Sequence, residues 1–542
     1  MFHSRQWSMN WSCNHWLIAG IALLGCSGRA QSTCDSNDQC TPPGSHSATG
    51  GAAGNGSDDG MSGSRASGAA GKAGSAGKAT PVMNDGRTDS QTASRAGNTS
   101  SGASNLANSG ASTGGASTGG TTSNGGGAPA GGSAGARVGG GGTSNAGASG
   151  ASASSGDVCD SPYCKFGTDS SDGAAAVAVD SSGNIYVAGN TNGALASPNA
   201  GATDVFVRKL DAKGATLWTR QFGSSSDDFA SSIVVDSAGN VYVGGDTYGA
   251  LSGTNAGSCD SFLRKFDASG ATLWTRQFGS PGPEQLGALA LDTSGQIYAA
   301  GSTYPTGNQS SGDPFVRKFD ASGSTLWAQQ FGGADEDEAE AVAVDASGNV
   351  YVAGWTYDLI PDSKLGSWDA FVRKLDASGA AQWTRVFGTA NADVIAVAAV
   401  DGQGNLYVVG STSSGLAGPS FGSEDAFIRK FDTNGATLWT RQIGSSDYDY
   451  GVGLGIDGTN SVYVVGSTSG AFVGTNAGAQ DAYVRKLDAS GSTLWTKQFG
   501  TASDEAARGA TVDASGAVYV VGYQGDSVTG DAFLLRVSAQ SP

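Results

Sequence analysis

Histidine is confined to the start of this chain. His3, His15 and His46 are the only three in 542 residues, and none follows residue 46. Everything downstream lacks an imidazole for acid–base work, nucleophile activation or metal ligation, which excludes Ser-His-Asp and His-metal mechanisms there. Basic residues are also thin. Thirty Lys and Arg stand against 48 Asp and Glu, with no Lys/Arg-rich block, and the formal net charge is −18. That balance excludes the electrostatic footprint of a nucleic-acid binder or an anionic-membrane patch. Helical periodicity is absent, and no Gly-rich phosphate loop opens a helix. Between Trp16 and Tyr163 aromatic residues vanish altogether. Gly, Ser, Ala, Thr and Asn dominate that interval, and such a chain buries too little apolar area to offset its ordering entropy.

These absences divide the chain in three: an export signal over 1–25, a low-complexity linker over 26–157 expected to act as a disordered tether, and a folded part over 158–542. The apolar run Trp16–Leu24 is too short to span a bilayer and follows a weakly basic start at Arg5. It ends in Leu23-Leu24-Gly25-Cys26, which resembles a bacterial lipobox and makes Cys26 the expected lipidation site; cleavage after Ala30 is the alternative. Either way the protein is expected to be exported, as an outer-membrane lipoprotein at the cell surface or as a secreted protein, with the lipid its only membrane attachment. Of the seven cysteines, Cys34 with Cys40 and Cys159 with Cys164 are candidate local disulfides of an oxidising compartment, leaving Cys259 as the odd thiol. Spacing does not settle the pairing.

The strongest feature is self-similarity. A Phe-Gly step, once Ile-Gly, recurs at Phe166, Phe222, Phe278, Phe331, Phe387, Ile443 and Phe499, at intervals of 56, 56, 53, 56, 56 and 56 residues. Each unit reads as four short β-runs parted by Asp/Ser/Gly/Asn turns, which implies antiparallel hairpins. A four-stranded unit repeated at this length is the pattern of a propeller blade. First, second and third strands number seven, but the outer Leu-Trp-Thr-Arg strand appears only six times. The missing one sits at the front, where Tyr163-Cys-Lys-Phe-Gly167 matches the end of that outer strand with no blade before it. It is expected to pair with Asp531–Arg536, so that both ends of the chain build the seventh blade. The predicted fold is all-β: a single closed seven-bladed propeller of four-stranded antiparallel blades, expected to be monomeric.

The repeated segments Val342–Gly354 and Asp369–Asp376, and their equivalents over 163–537, resemble the SBBP repeats, the seven-bladed β-propeller repeats of bacterial secreted and cell-surface proteins. The resemblance implies the fold and a surface location, and no activity.

Candidate site residues fall in two groups. Acids recur after each Phe-Gly step, among them Asp227 and Asp228, Asp335 and Asp337, and Asp447 and Asp449. One reading makes them an exposed rim for docking, or for Ca²⁺, the one cofactor the connectors would suit; the other makes them turn caps in solvated loops. The second group departs from the repeat: Trp355, Tyr357 and Trp368, expected in a loop of the fourth blade, form a candidate aromatic platform for a sugar or peptide. The Arg-Lys pairs and the outer tryptophans recur in six blades and read as scaffold between blades. With no catalytic residue assigned, the expected function is a non-catalytic display module whose loop face binds a surface protein or polysaccharide. The alternatives are a carbohydrate-active hydrolase or lyase working through loop carboxylates, and a purely structural envelope component.

Overall fold

The computed structural model describes residues 158–160, 163–308, 311–359, 365–525 and 530–539. The signal, the linker, Cys26, Cys34 and Cys40 lie outside the described residues.

Six four-stranded antiparallel sheets and one five-stranded sheet make up the described fold. In blade one the strands, lettered a to d from the channel outward, are Asp172–Val179, Ile185–Thr191, Asp204–Leu210 and Thr216–Phe222. Blade four repeats them as Asp337–Val344, Val350–Thr356, Asp369–Leu375 and Ala381–Phe387. Each a strand packs against the a strands of its two neighbours, and the last, Glu505–Val512, packs against the first, Asp172–Val179. The ring is therefore closed, and no blade leaves a sheet face uncovered.

Closure follows the pairing expected from the strand count. Tyr163–Phe166 lies antiparallel to Asp531–Val537, with Tyr163 opposite Leu535 and Phe166 opposite Ala532. A further short strand, Val158–Asp160, continues the sheet outward and makes the seventh blade five-stranded, which the sequence did not announce. Cys164 is disulfide-bonded, and the residue opposite it in the ladder is Cys159. Cys259 carries a reduced, buried thiol. The interval of 53 residues has a local origin: the b–c loop of blade three runs from Thr303 to Asp313, against Thr247 to Asp260 in blade two.

Burial explains the pattern of each strand. The b strands are enclosed by strands on either side and blades on both faces, so they read as near-continuous apolar runs such as Val241-Tyr-Val. The tyrosine of that run is fully buried in all seven blades, from Tyr186 to Tyr519. Its hydroxyl donates to the aspartate of the preceding a–b turn, as Tyr186 does to Asp180 at 2.9 Å and Tyr463 to Asp457 at 2.9 Å. In that turn the same carboxylate collects backbone N–H groups, Ser347 and Asn349 onto Asp345, while Gly348 supplies the positive φ of 80°. These are structural Asx turns.

Blades are held to one another by cations on rings. The guanidinium of Arg264 lies 3.8 Å over Phe222 of the preceding blade, and Arg429 lies 3.8 Å over Phe387. The sequence reading placed these arginines between blades; the partner is the phenylalanine of the Phe-Gly step. Lys209 covers Tyr186 of its own blade, and the Trp218 indole N–H donates to Ala268 in the next. The Arg-Lys pairs and the outer tryptophans are scaffold.

Candidate functional site

The face that carries the d–a connectors also carries the b–c loops, because their backbones bond directly: Asp228 N–H donates to Thr203 of the preceding b–c loop, and Tyr248 N–H to Asp227. On this face the candidate acids separate into two classes. Asp335 and Asp447 are exposed and Asp227 is half-exposed. Asp228, Asp337 and Asp449 are fully buried.

The exposed-rim reading is therefore wrong for the second class; these acids do cap the connector turn, as buried groups and not as solvated ones. Each a strand starts at this acid, several residues earlier than the apolar run suggests, which draws the carboxylate into the sheet. The Asp228 carboxylate accepts Ser224 N–H at 2.5 Å and the Ser224 hydroxyl at 2.9 Å; Asp337 accepts Gly333 N–H at 2.6 Å and the Thr356 hydroxyl. Asp172, Glu284, Asp393 and Glu505 hold the same position in the other blades. A second acid opens each c strand, and the Phe-Gly glycine is wedged between the two: a Cβ on Gly223 would stand 2.2 Å from Asp204 Oδ1 and 3.0 Å from Asp228 Oδ2. That contact is the reason glycine recurs there. Burial raises Asp228 and Asp337, against the hydrogen bonds that favour their charged forms. Among the described residues, no group of three or more His, Cys, Asp or Glu is gathered as a metal would require.

Trp355 is not a loop residue. It lies within the b strand of blade four, 6% exposed, and packs on Trp368 with ring centroids 5.0 Å apart. The strand continues to Thr356, so only Tyr357 and Trp368, both half-exposed, belong to the loop. In most blades the position of Trp355 holds a small polar residue that accepts an N–H from the next blade, as Asn190 does from Ala230 at 2.7 Å and Ser467 from Ala507 at 3.0 Å. Trp355 replaces that latch with bulk. Of the neighbouring aromatics, Phe421 is 59% exposed, whereas Tyr304 is buried and its hydroxyl donates to Glu338 of blade four.

Beside that contact Glu336 is pushed up to about 7 by burial, then by the charges of Glu338 and Asp337. The sequence showed this acid run; the phenol that blade three lends to it comes only with the packed ring.

The second concavity is the central channel, with a cavity of about 360 Å³ lined by the a strands of all seven blades. Every a strand carries a β-bulge at its middle, and the bulged residues are Ala175, Ser231, Gly287, Glu340, Ala396, Val452 and Arg508. All seven line the cavity. A bulge re-aims a side chain at one point of a strand, and here it does so once per blade. Strand-length sequence patterns do not reveal it, because pairing with the b strand creates it.

The SBBP beta-propeller repeat pattern matches residues 167–195, 217–251, 326–361, 382–417 and 438–472. Five segments of the chain are SBBP repeats. This SBBP propeller is 28% identical over 358 residues to the regulatory protein FlaEY of Caulobacter vibrioides, a match covering 55% of the chain and 37% of that protein. It is 25% identical over 177 residues to an uncharacterized WD repeat-containing protein of Acanthamoeba polyphaga mimivirus, covering 26% and 13%. The chain thus spans little more than a third of the longer match. Among solved structures, a polysaccharide lyase bound to an ulvan fragment aligns with a TM-score of 0.43 at 10% identity, covering 69% of this chain and 96% of that one. The WD40 domain of Neurospora crassa Pan2 aligns with a TM-score of 0.34 at 12% identity, covering 58% and 90%.

Proposed function

We propose that this SBBP protein is a non-catalytic binding and display module, exported and attached through Cys26, whose connector and b–c loop face engages a surface protein or polysaccharide. The observation that supports it is the division of the acids. The a-strand carboxylates that recur in every blade are buried in the scaffold, where they accept N–H and hydroxyl donors from the connector. The residues left exposed on the loop face differ from blade to blade: Asp335, Tyr357 and Trp368 on blade four, Phe421 on blade five, Asp447 on blade six. A rigid ring presenting unlike loops is suited to recognition. Binding to a glycan array and to isolated envelope polysaccharide, with Trp368→Ala and Tyr357→Ala beside the parent chain, tests the reading. Loss of binding in both variants with unchanged melting supports it, and undiminished binding in both removes the loop face as the site.

One observation favours a carbohydrate-active enzyme as the second reading. Glu336, held near 7, sits beside Glu338 and the Tyr304 phenol, and a carboxyl poised there can serve as a general acid. Release of reducing sugar that disappears in Glu336→Gln would establish that reading in place of the first.

A further inference from the structure

At five of the seven seams a c-strand arginine stacks on the Phe-Gly ring of the preceding blade, its guanidinium 3.8 to 4.6 Å from the ring centroid. Blade six meets Ile443 in place of that ring, yet keeps the arginine and turns Arg485 to Phe472 at 5.0 Å. Arg264 also donates to the d-strand Thr275 at 2.7 Å, and Arg485 to Thr496 at 2.8 Å. The buried a-strand acid supplies the counter-charge: burial pulls Arg264 and Arg429 down to about 10, and the charges of Asp228 and Asp393 limit that fall. Blade seven changes the seat. Leu535 stands at the arginine's position, opposite Tyr163, where blade six sets Arg485 opposite Thr496. The ring and the acid remain, Phe499 ending blade six and Glu505 opening the a strand of blade seven. Between them is a cavity of about 350 Å³ whose lining includes Phe499, Glu505, Leu535, Tyr163 and Phe533. Phe499 is thus left without the arginine that its counterparts carry.

From this comparison we infer that the seam between blades six and seven binds an arginine side chain of a partner polypeptide, its guanidinium flat on Phe499 and its charge set against Glu505. A guanidinium is planar and weakly hydrated and stacks on an aromatic face, as the other seams of this ring already use it. No group at the seam has to release a partner. Glu505, 3% exposed, keeps the N–H of Thr501 at 2.8 Å and the amide of Gln524 at 2.7 Å, as Asp228 keeps Ser224 while countering Arg264. Tyr163 keeps Gln524 at 3.0 Å and its stack on Phe533. The site uses the charge of Glu505 and the open face of Phe499. A cavity of about 350 Å³ lies at the small end of ligand pockets and admits one extended side chain. A free amino acid would bring its own carboxylate toward Glu505, whereas a residue within a chain brings none, and the net charge of −18 attracts a cationic partner. The seam is distinct from Tyr357 and Trp368 of blade four, so it stands or falls independently of the display function.

The test is isothermal titration calorimetry of the full chain with N-acetyl-Gly-Arg-Gly-amide, its citrulline counterpart, free L-arginine and ethylguanidinium. Saturable binding of the arginine peptide is expected, with the citrulline peptide, which keeps the shape and loses the charge, weaker by about tenfold or more. Free arginine and ethylguanidinium are expected to bind more weakly than the peptide; either binding as tightly would overturn a polypeptide as the source. Leu535→Arg puts the guanidinium of the other blades into the cavity and is expected to abolish binding without lowering the melting temperature. Phe499→Ile, a replacement the ring already tolerates at Ile443, and Glu505→Gln are each expected to weaken binding about tenfold, whereas Trp368→Ala leaves it unchanged. No saturable heat with the arginine peptide, equal binding of the citrulline peptide, or binding that survives Leu535→Arg or Phe499→Ile would overturn the inference.

Discussion

Lys165 and Asp531 form an ion pair of 2.6 Å between the strand that opens the propeller and the strand that completes it. The lysine is 41% exposed, so the pair itself is worth little, on the order of 0.5 kcal/mol. Its importance is positional. It lies beside a four-residue ladder that joins the two ends of the folded chain, while the other blades close on d strands of six or seven residues.

The disulfide at Cys164 should matter more than that ion pair. It anchors Cys164 in the strand Tyr163–Phe166, so its loss loosens the strand on which closure depends. Reduction, or Cys164→Ser, is predicted to lower stability by about 2 kcal/mol. The check is chemical denaturation with and without reductant. A parent chain indifferent to reductant would contradict the role.

Replacing Phe387 with alanine removes a buried ring that stacks under Arg429 and packs edge-on to Phe427 at 6.0 Å. The predicted cost is about 3 kcal/mol, from cavity formation and loss of the cation's partner together. Arg429→Lys keeps the charge and loses the flat stack, and should cost less, about 1 kcal/mol. Denaturant midpoints at constant slope would measure both.

Stability should depend on pH in two windows of opposite sense. Glu336 and Glu424 are both held near 7, Glu336 by burial and its acidic neighbours, Glu424 by burial and then Asp425. Their folded values exceed the unfolded value of 4.5, so folding retains protons that the unfolded chain releases. Their contribution is full below about 4.5 and lost as pH rises to about 7. Asp457 behaves conversely. Burial opposes its charge, but hydrogen bonds from Thr459, Ser461 and Tyr463 outweigh it and hold the group at about 2. Its contribution is present above its ordinary value of 3.8 and lost as pH falls toward 2. On these groups melting temperature should therefore peak near pH 4, and Glu424→Gln should flatten the alkaline side, by roughly 1 kcal/mol between pH 5 and 7.5 after allowing for partial exposure.

Blade count and closure were legible because they are one-dimensional facts. Tyr163-Cys-Lys-Phe-Gly167 is the tail of an outer strand lacking its blade, and the last unit is the one whose c strand lacks an outer strand of its own. The turn aspartates were legible for a similar reason, since Asp345 bonds residues two, four and six positions away. The buried acids were not. Asp337 is enclosed because Thr356, at the end of another strand, and Tyr357, just after it, donate to it, and no local pattern distinguishes it from exposed Asp335. Trp355 was misplaced because its strand runs to Thr356, past the glycine that reads as the strand's end. Strand Val158–Asp160 follows a low-complexity stretch and is too short to show alternation.

Hydrogen exchange across Asp531–Val537 tests the account most directly. The amides of this strand are predicted to be as protected as those of the c strand Asp481–Leu487, and Lys165→Pro, which breaks the ladder beside them, should collapse that protection in the seventh blade before any other. Rapid exchange of 531–537 in the parent chain, or protection that survives the proline, would contradict a ring closed by its own two ends.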